Sequence, residues 1–415
     1  MKVTLVSGAF PPVRAGESEH AHHLCARLAA AGHHVDIVTS VGCSAPAGTE
    51  RHVRPIMDRW DWRELPRLLR AVKQCRPDAV LLMYSGWIYR DHPMITFLPT
   101  LVRRLMPGVV FVTQFETDDG NAERSWGSAL ACKVMKLLVR GRDVGYVFGT
   151  LMRDSHRLVF LSEHHWRDFT QLAPVAASKG ALIPPPPLLR MSPADPGVRA
   201  RTRRALGVRE NDFLFAFFGY VDRNKGLETL FAALSTVRQS RPNVRLVMVG
   251  GGRGTAQAAA TALGAQVTRY EERLQAAPTS AGIDDAVIWV PGYLPDTDAG
   301  SRYLRAADAA ILPFDSGVTL NRSSVAACAA HALPIITTRG SRLERAFETL
   351  DAVLLCAPKS VQALADAALR VVDDGPLRER LSRGSARLVD EWYSWERAVE
   401  KTVAALQDEA PPELA

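Results

Sequence analysis

The sequence opens with a β-α-β pattern, VTLVSGAFPPVRAGESEHAHHLCARLAAAGHHVDIVTS, at Val3–Ser40. Its two apolar runs are continuous and not alternating, which is typical of parallel strands that are covered on both faces. Between them we predict a helix at Glu19–Ala31, with its apolar side chains on the buried face and its charged ones, Glu19 included, pointing away from it. Gly32 supplies the left-handed residue that ends this helix.

The same alternation of short apolar runs and helical segments continues along the chain, and it predicts an α/β protein with doubly wound parallel sheets. The predicted strands are Val3–Ser7, Val35–Ser40, Ala79–Tyr84, Val109–Phe115 and Arg157–Ser162 in the first half, and Phe213–Gly219, Val244–Gly250, Ala286–Val290, Ala309–Phe314, Pro334–Thr338 and Ala352–Cys356 in the second.

A proline run, IPPPP at Ile183–Pro187, separates the two halves. Consecutive prolines neither pair in a central strand nor continue a helix, so this run is typical of a stiff connector. We therefore predict one Rossmann-like domain at 1–187, a second at 188–390, and a C-terminal helix within 391–415 that packs back toward the first domain.

The composition is that of an ordinary globular protein: of 415 residues, 47% are hydrophobic and 23% charged. This excludes a disordered or fibrous chain. No apolar run approaches the roughly 18 residues that span a bilayer, and the N-terminus shows no secretory signal. The six cysteines are scattered without a CxxC pair, which favours reduced thiols over disulfides or a zinc site. We expect a cytoplasmic protein.

The net charge of +7 is concentrated in the first half, where residues 1–189 carry 23 Lys and Arg against 17 Asp and Glu. No helix-turn-helix, zinc-finger spacing or aromatic–basic pattern accompanies this excess, so we predict no nucleic-acid partner. An acidic ligand, a weak peripheral contact with an anionic membrane and a merely solvated surface all remain compatible with it.

Three loops lie where ligands bind in open α/β sheets, beyond the carboxyl ends of strands. Ser7–Glu17 is a glycine-containing loop whose two prolines argue against a dinucleotide fingerprint. In Phe217–Leu234, Lys225 stands at the start of a helix, where it suits a phosphate or is simply solvated. In Leu312–Thr338, hydroxyls and amides at a helix start indicate a second phosphate site or a helix capped by Ser323.

Taken in order, these segments resemble the retaining family-4 glycosyltransferases of the GT-B fold, whose two Rossmann-like domains face a central cleft. The resemblance covers nearly the whole chain. The motifs that carry it are the proline-rich first loop, the Gly219-x5-Lys225-Gly226 spacing, VGGG at 249–252, PGYL at 291–294, AADAAILPF at 306–314 and ALPIITT at 332–338. It implies transfer of a sugar from a nucleotide-diphosphate sugar to an acceptor hydroxyl, with retention of configuration and with no metal or other cofactor.

The resemblance also implies which residues do this. Lys225 would neutralise the departing diphosphate with Arg223 nearby, and Glu116 would bind or deprotonate the acceptor hydroxyl, unless the departing phosphate itself takes that proton. Gly16 would cover the donor phosphates or present the acceptor. The other implied donor contacts are Gly219, Tyr220, Gly250, Gly292, Tyr293, Leu294, Gly317, Val318, Thr319, Leu320, Asn321, Arg322, Ser323 and Ser324. The implied acceptor contacts are Tyr84, Trp87, Glu116 and Asp118.

Three departures set the chain apart from the family pattern. Tyr220 stands where an arginine is usual, and Arg223 is the nearest replacement. The two usual glutamates fall on Thr319 and Ala327, and the usual histidine after the fifth strand falls on Phe115. We interpret the chain as a member of a subgroup without the paired glutamates.

Other functions remain open at the level of sequence. A nucleotide-sugar epimerase or hydrolase could use the same scaffold, and the missing glutamates also suit a non-catalytic nucleotide- or sugar-binding protein. His20 and His23 are one helical turn apart, but no third ligand is indicated, so we predict no metal site. The acceptor class stays undefined: a small molecule, a polysaccharide and a lipid-linked sugar all fit.

Overall fold

The computed structural model describes residues 1–44, 52–117, 126–139, 147–250, 262–290 and 298–409. The chain divides into two compact units. The first comprises Met1–Pro184 and Trp395–Ala415, and the second comprises Pro185–Ser394.

The first unit is built on a seven-stranded parallel sheet in the order β3-β2-β1-β4-β5-β6-β7. The strands are β1 (Lys2–Val6), β2 (His34–Ser40), β3 (His52–Met57), β4 (Ala79–Tyr84), β5 (Val110–Phe115), β6 (Arg157–Phe160) and β7 (Gly180–Leu182). Its helices are α1 (Gly16–Ala30), α2 (Leu65–Cys75), α3 (Leu98–Leu105), α4 (Trp126–Val139), α5 (Leu151–Asp154), α6 (Glu163–Leu172) and α7 (Val175–Lys179). The sequence predicted five of these strands and missed β3 and β7.

Helix α1 begins three residues earlier than predicted and ends before Gly32, whose φ of +85° confirms the expected left-handed residue. The prediction that Glu19 points away from the body was wrong, because Glu19 is only 7% exposed. The helix begins at the carboxyl edge of the sheet, so its first turn packs among loops that follow the strands.

The second unit contains a six-stranded parallel sheet in the order β10-β9-β8-β11-β12-β13. Its strands are β8 (Phe213–Phe218), β9 (Val244–Val249), β10 (Val287–Trp289), β11 (Ala309–Leu312), β12 (Ile335–Thr338) and β13 (Val353–Cys356), and all six were predicted. Its helices are α8 (Val198–Ala205), α9 (Leu227–Ser240), α10 (Ala262–Ser280), α11 (Ala299–Ala306), α12 (Ser323–Ala330), α13 (Ala346–Thr349), α14 (Val361–Asp373) and α15 (Gly375–Trp392).

The last helix, α16 (Trp395–Leu406), belongs to the first unit and packs against α1 and against β4, β5 and β6. Just after this helix, Asp408 accepts a hydrogen bond from Nε of Arg157 at 2.9 Å. The two parallel sheets confirm the predicted α/β architecture of two doubly wound domains.

Candidate functional site

The loops of the second unit that follow β8 and β11 emerge side by side, because these two strands are neighbours in the sheet. The connection after β8 runs to β9 on one side of β8, whereas β11 lies on its other side. A crevice therefore opens between the loops that follow β8 and β11. The site predicted around Gly219, Lys225 and residues 317–324 lies at this edge of the sheet.

Glycines allow the segments around this crevice to pack closely. Gly219 has a φ of +131°, and a Cβ placed on it would lie 3.5 Å from Cβ of Ser324. Gly226 has a φ of +63°, and a Cβ there would lie 2.1 Å from the carbonyl oxygen of Pro313. A Cβ on Gly250 would lie 2.1 Å from the carbonyl oxygen of Gly219. A side chain at Gly226 or Gly250 would displace the backbone that it meets, whereas at Gly219 the positive φ is what favours glycine.

Two cations of the site meet at one aromatic ring. Nζ of Lys225 lies 5.0 Å from the ring centroid of Phe314, and Cζ of Arg322 lies 4.8 Å from it. The ring is fully buried, so it gives both cations a fixed surface. Nη2 of Arg322 also donates to Oγ of Ser316 at 3.3 Å. The structure thus brings together two predicted residues that are 97 positions apart in the chain.

Helix α12 begins beside these cations with unused hydrogen-bond donors. Arg322 occupies the N-cap position and no side chain caps the helix, so the alternative of a helix capped by Ser323 does not hold. Oγ of Ser324, a residue only 4% exposed, has no hydrogen-bond partner among the described residues. Across the same described ranges, the amides of Ser323 and Ser324 also have none. Free amides at a helix N-terminus are a favourable environment for an anion.

Other polar groups of this loop form hydrogen bonds within the second unit. The amide of Val318 donates to the carbonyl of Thr338, and the amide of Leu320 donates to the buried carboxylate of Glu344. Both Val318 and Leu320 have fully buried side chains, so any contact of theirs with a donor would be through the backbone. Thr319 donates from Oγ1 to Oδ1 of Asn321 at 2.6 Å.

Gly317 completes the turn of this loop. Its φ is +94°, and a Cβ placed there would lie 2.5 Å from the amide nitrogen of Gly340. Its own amide donates to the carbonyl of Phe314 at 3.2 Å. The anion-binding groups of the loop are therefore concentrated at Arg322, Ser323 and Ser324.

Arg223 lies in a neighbouring pocket and not at the Phe314 ring. Its Cζ is 5.9 Å from the ring centroid of Tyr270, whose hydroxyl donates to Oε2 of Glu228 at 3.0 Å. Burial, assisted by the Glu228 carboxylate, raises the pKa of Tyr270 above its usual range, so the hydroxyl stays a proton donor. The pocket has a volume of about 540 Å³ and mixes positive and negative side chains, including Asp315. Tyr220, next to Gly219, is half-buried.

In the first unit, three polar side chains meet at the carboxyl end of β5. Nδ1 of His20 lies 3.1 Å from Oε2 of Glu116, and Nε2 of Gln114 donates to Oε1 of the same carboxylate at 2.6 Å. All three residues are less than 9% exposed. Glu116, predicted to face the acceptor, has both carboxylate oxygens engaged within the protein.

The start of α1 is acidic. Nε1 of Trp87 donates to Oε1 of Glu17 at 2.7 Å, and Glu17 is only 6% exposed. Space within 4 Å of a Cβ on Gly16 is open. Trp87 is 37% exposed, whereas Tyr84 is fully buried in the apolar core against Tyr89. Tyr84 is therefore not placed to contact an acceptor, and that prediction was wrong.

Four predicted contacts lie outside the described residues: Gly292, Tyr293 and Leu294 in the second unit, and Asp118 in the first. Within the described ranges, no three His, Cys, Asp or Glu side chains are grouped as a metal site would require.

Sequence reasoning missed three residues that shape the site. His20 was considered only with His23, whereas its partner is 96 positions away. Phe314 was assigned to a strand, and Glu344 carried no motif. The sequence signal available for Phe314 was its position, because it directly follows Leu312 and Pro313 at the end of β11.

The family model matches most of the second unit, whereas single relatives and solved structures match up to the whole chain. Residues 198–387 match the family model "Glycosyl transferases group 1". A D-inositol 3-phosphate glycosyltransferase of Arthrobacter sp. (strain FB24) is 28% identical over 52% of this chain, and the chain spans about half (48%) of that relative's length. A glycogen synthase of Mycobacterium tuberculosis is 25% identical over 100% of this chain and 97% of its own.

Solved structures extend the likeness of fold. HepE of Anabaena, solved with UDP and glucose, superposes with a TM-score of 0.70 at 13% identity, over 98% of this chain and 99% of its own. Sucrose-phosphate synthase of Thermosynechococcus elongatus gives 0.66 at 18% identity, over 98% of each chain. The expectation of a GT-B fold is confirmed, and the family match of residues 198–387 agrees with the expectation of a glycosyltransferase.

The geometry of the anion site yields a prediction for binding. Because helix amides and Ser324 Oγ recognise phosphate and not the base, UDP should bind about ten- to a hundredfold more tightly than UMP, whereas exchanging uracil for guanine or adenine should cost less. Ser324→Ala should weaken UDP binding about tenfold and leave UMP binding unchanged, as measured by calorimetry. Equal affinity of UMP and UDP would mean that the start of α12 is not the diphosphate site.

Proposed function

We propose that this chain, whose residues 198–387 form a group 1 glycosyltransferase domain, moves a sugar from a nucleotide-diphosphate sugar to an acceptor hydroxyl with retention of configuration and without a metal ion. The observation that carries the proposal is the convergence of Lys225 and Arg322 on the Phe314 ring, beside the start of α12.

Charge neutralisation is the main task of such a site. When the bond between the sugar C1 and the diphosphate oxygen breaks, the electron pair stays with the diphosphate. In this proposal, the Lys225 ammonium, the Arg322 guanidinium and the amides of Ser323 and Ser324 stabilise that charge. Fixed donors of this kind supply what a divalent cation supplies elsewhere, which supports transfer without a metal.

The same arrangement supports the proposal of retention. A departing diphosphate that is held by two cations stays on the face of the sugar where it was attached. An acceptor hydroxyl that approaches this face meets an oxocarbenium-like carbon without needing a protein nucleophile. Thr319 and Ala327, where family-4 enzymes usually have glutamates, are compatible with this route because it relies on leaving-group charge.

We assign the acceptor to the first unit. At the start of α1, buried Glu17 and Glu19 disfavour a bound phosphate, so the region of Gly16 suits acceptor hydroxyls better than the phosphates of the donor. The partly exposed ring of Trp87, fixed by its hydrogen bond to Glu17, offers a flat surface on which a sugar ring can pack.

The proposal is tested by turnover. UDP-, GDP- and ADP-glucose are incubated with D-inositol 3-phosphate, with glycogen or with no acceptor, in excess EDTA, and the anomer of each product is determined by NMR. We expect transfer in EDTA with an α-linked product from an α-linked donor. An inverted product, or activity that EDTA abolishes and a divalent ion restores, contradicts the corresponding part of the proposal. Release of nucleotide without any transfer identifies a hydrolase.

Lys225→Ala should lower kcat by at least about a hundredfold, because the ammonium acts on charge that develops in the transition state. Lys73, exposed on α2 of the first unit, provides the control, and Lys73→Ala should stay near wild type. Circular dichroism checks that both variants are folded. Turnover of Lys225→Ala within a few-fold of wild type would remove Lys225 from the mechanism.

We also propose a weak contact between the first unit and an anionic membrane surface. No helix among the described residues is long and apolar enough to cross a membrane. Helix α4 instead buries Cys132 and Val139 against Phe97 and exposes an apolar stripe on its other side. The stripe consists of Leu130, Val134, Leu137 and Leu138, which are 50% to 71% exposed.

Two basic residues lie near this stripe and favour an anionic partner. Lys133 is exposed on the same helix, and Nη2 of Arg104 lies 3.5 Å from the carbonyl oxygen of Leu138. An apolar face with basic neighbours is typical of helices that lie in the interface of anionic bilayers.

The membrane contact is tested with lipid vesicles. The protein should sediment with vesicles that contain about one-third phosphatidylglycerol more than with pure phosphatidylcholine, and added salt should weaken the binding. Leu137→Glu should reduce sedimentation several-fold. Leu172→Glu, at an equally exposed leucine of the same unit, should not. Equal sedimentation of both variants would place the contact elsewhere or exclude it.

A further inference from the structure

We propose that His20 is the base that removes the proton from the acceptor hydroxyl and that Glu116 is the positioning residue that orients it; this rests on the proposed function. The observation behind it is the buried His20–Glu116–Gln114 cluster at the carboxyl end of β5, in the unit to which we assign the acceptor.

The distances define the tautomer of the imidazole. Nδ1 of His20 lies 3.1 Å from the Glu116 carboxylate and 3.4 Å from Nε2 of Gln114. The Glu116 carboxylate can only accept a hydrogen bond, and the Gln114 NH2 group can only donate one. Nδ1 therefore carries the hydrogen and donates a hydrogen bond to Glu116. The lone pair of the imidazole is then on Nε2, which has no hydrogen-bond partner among the residues that the structure describes.

The carboxylate is fixed from its other side. Nε2 of Gln114 donates to Oε1 of Glu116 at 2.6 Å, while Oε2 faces His20. With both oxygens engaged, Glu116 is poorly placed to take a proton from an acceptor directly. It is well placed to stabilise the imidazolium that forms when His20 takes one. Glu116 thus keeps a place in the chemistry, but through His20.

The two ends of this cluster come from different elements. His20 lies on the second turn of α1, close to the acidic start of the helix, and Glu116 directly follows β5. Phe115, the residue before Glu116, is fully buried in the core. The imidazole at this edge of the sheet therefore comes from α1.

The proposed step transfers one proton to His20 and one sugar to the acceptor. The O–H bond of the acceptor breaks and its proton moves to Nε2 of His20. The acceptor oxygen forms a bond to C1 of the donor sugar while the bond from C1 to the diphosphate breaks, and the diphosphate leaves with the electron pair. The imidazolium, paired with Glu116, then releases its proton to solvent.

Kinetics test the role of the base. With the donor and acceptor that give transfer in the turnover assay, His20→Ala should lower kcat about a hundred- to a thousandfold. UDP affinity should not change, because the diphosphate is held by the second unit. Exogenous imidazole should restore part of the rate. His22→Ala, two positions along the same helix, is the matched control and should stay near wild type.

Variants of Glu116 test its positioning role. Glu116→Gln should lower kcat at least tenfold with little change in the KM of the donor, and Glu116→Asp should recover part of the loss. If Glu116 had only a structural role, Glu116→Gln would have a lower melting temperature. In that case imidazole would not restore the rate of His20→Ala.

A second readout is independent of turnover. In spectra of protein with ¹⁵N-labelled histidine, assigned with His20→Gln, the His20 ring should carry its proton on Nδ1 and not on Nε2. A proton on Nε2, or a transfer rate in His20→Ala equal to that of wild type, overturns the proposal. Absence of transfer by the wild-type protein in every assay would instead refute the proposed function, and the role of His20 would fall with it.

Discussion

Every strand of both sheets is parallel to its neighbours, and this single constraint determines where the chemistry can lie. A parallel strand must be followed by a crossover to the opposite edge, so all the loops that leave strands emerge together at the carboxyl ends. Crossovers also cover both faces of each sheet, which leaves that edge as the place where polar groups gather. His20 and Glu116 in one unit, and Lys225 and Ser324 in the other, lie there for this reason.

The sequence predicted the strands whose apolar runs are unbroken and missed those that are short or polar. All six strands of the second sheet are runs of mainly apolar residues, and each was recognised. Strand β3 contains Arg54 and Pro55, lies at the edge of its sheet and pairs only with β2, so nothing requires it to be apolar throughout. Strand β7 has only three residues. Both are held by a neighbouring strand, and a local pattern does not contain that information.

For the site, the sequence identified the segments but not the direction of their side chains. Lys225, Arg322 and Ser324 were expected to act together, and the structure brings the first two to one ring and places the third beside Gly219. Tyr84 and Leu320 were expected at the same edges and instead point into the core. A motif indicates which loop approaches a ligand, whereas the pleat of the strand and the packing beneath it decide which side of the loop does so.

The position of α16 in the first unit has a consequence for synthesis on the ribosome. Residues 395–406 cover part of the sheet formed by β4, β5 and β6, and their buried side chains include Trp395 and Leu406. The first unit therefore lacks part of its cover until the entire second unit has been made. A nascent chain carries an exposed apolar surface through that interval, which is the condition under which chaperones bind. The unit that is translated first is the unit that is completed last.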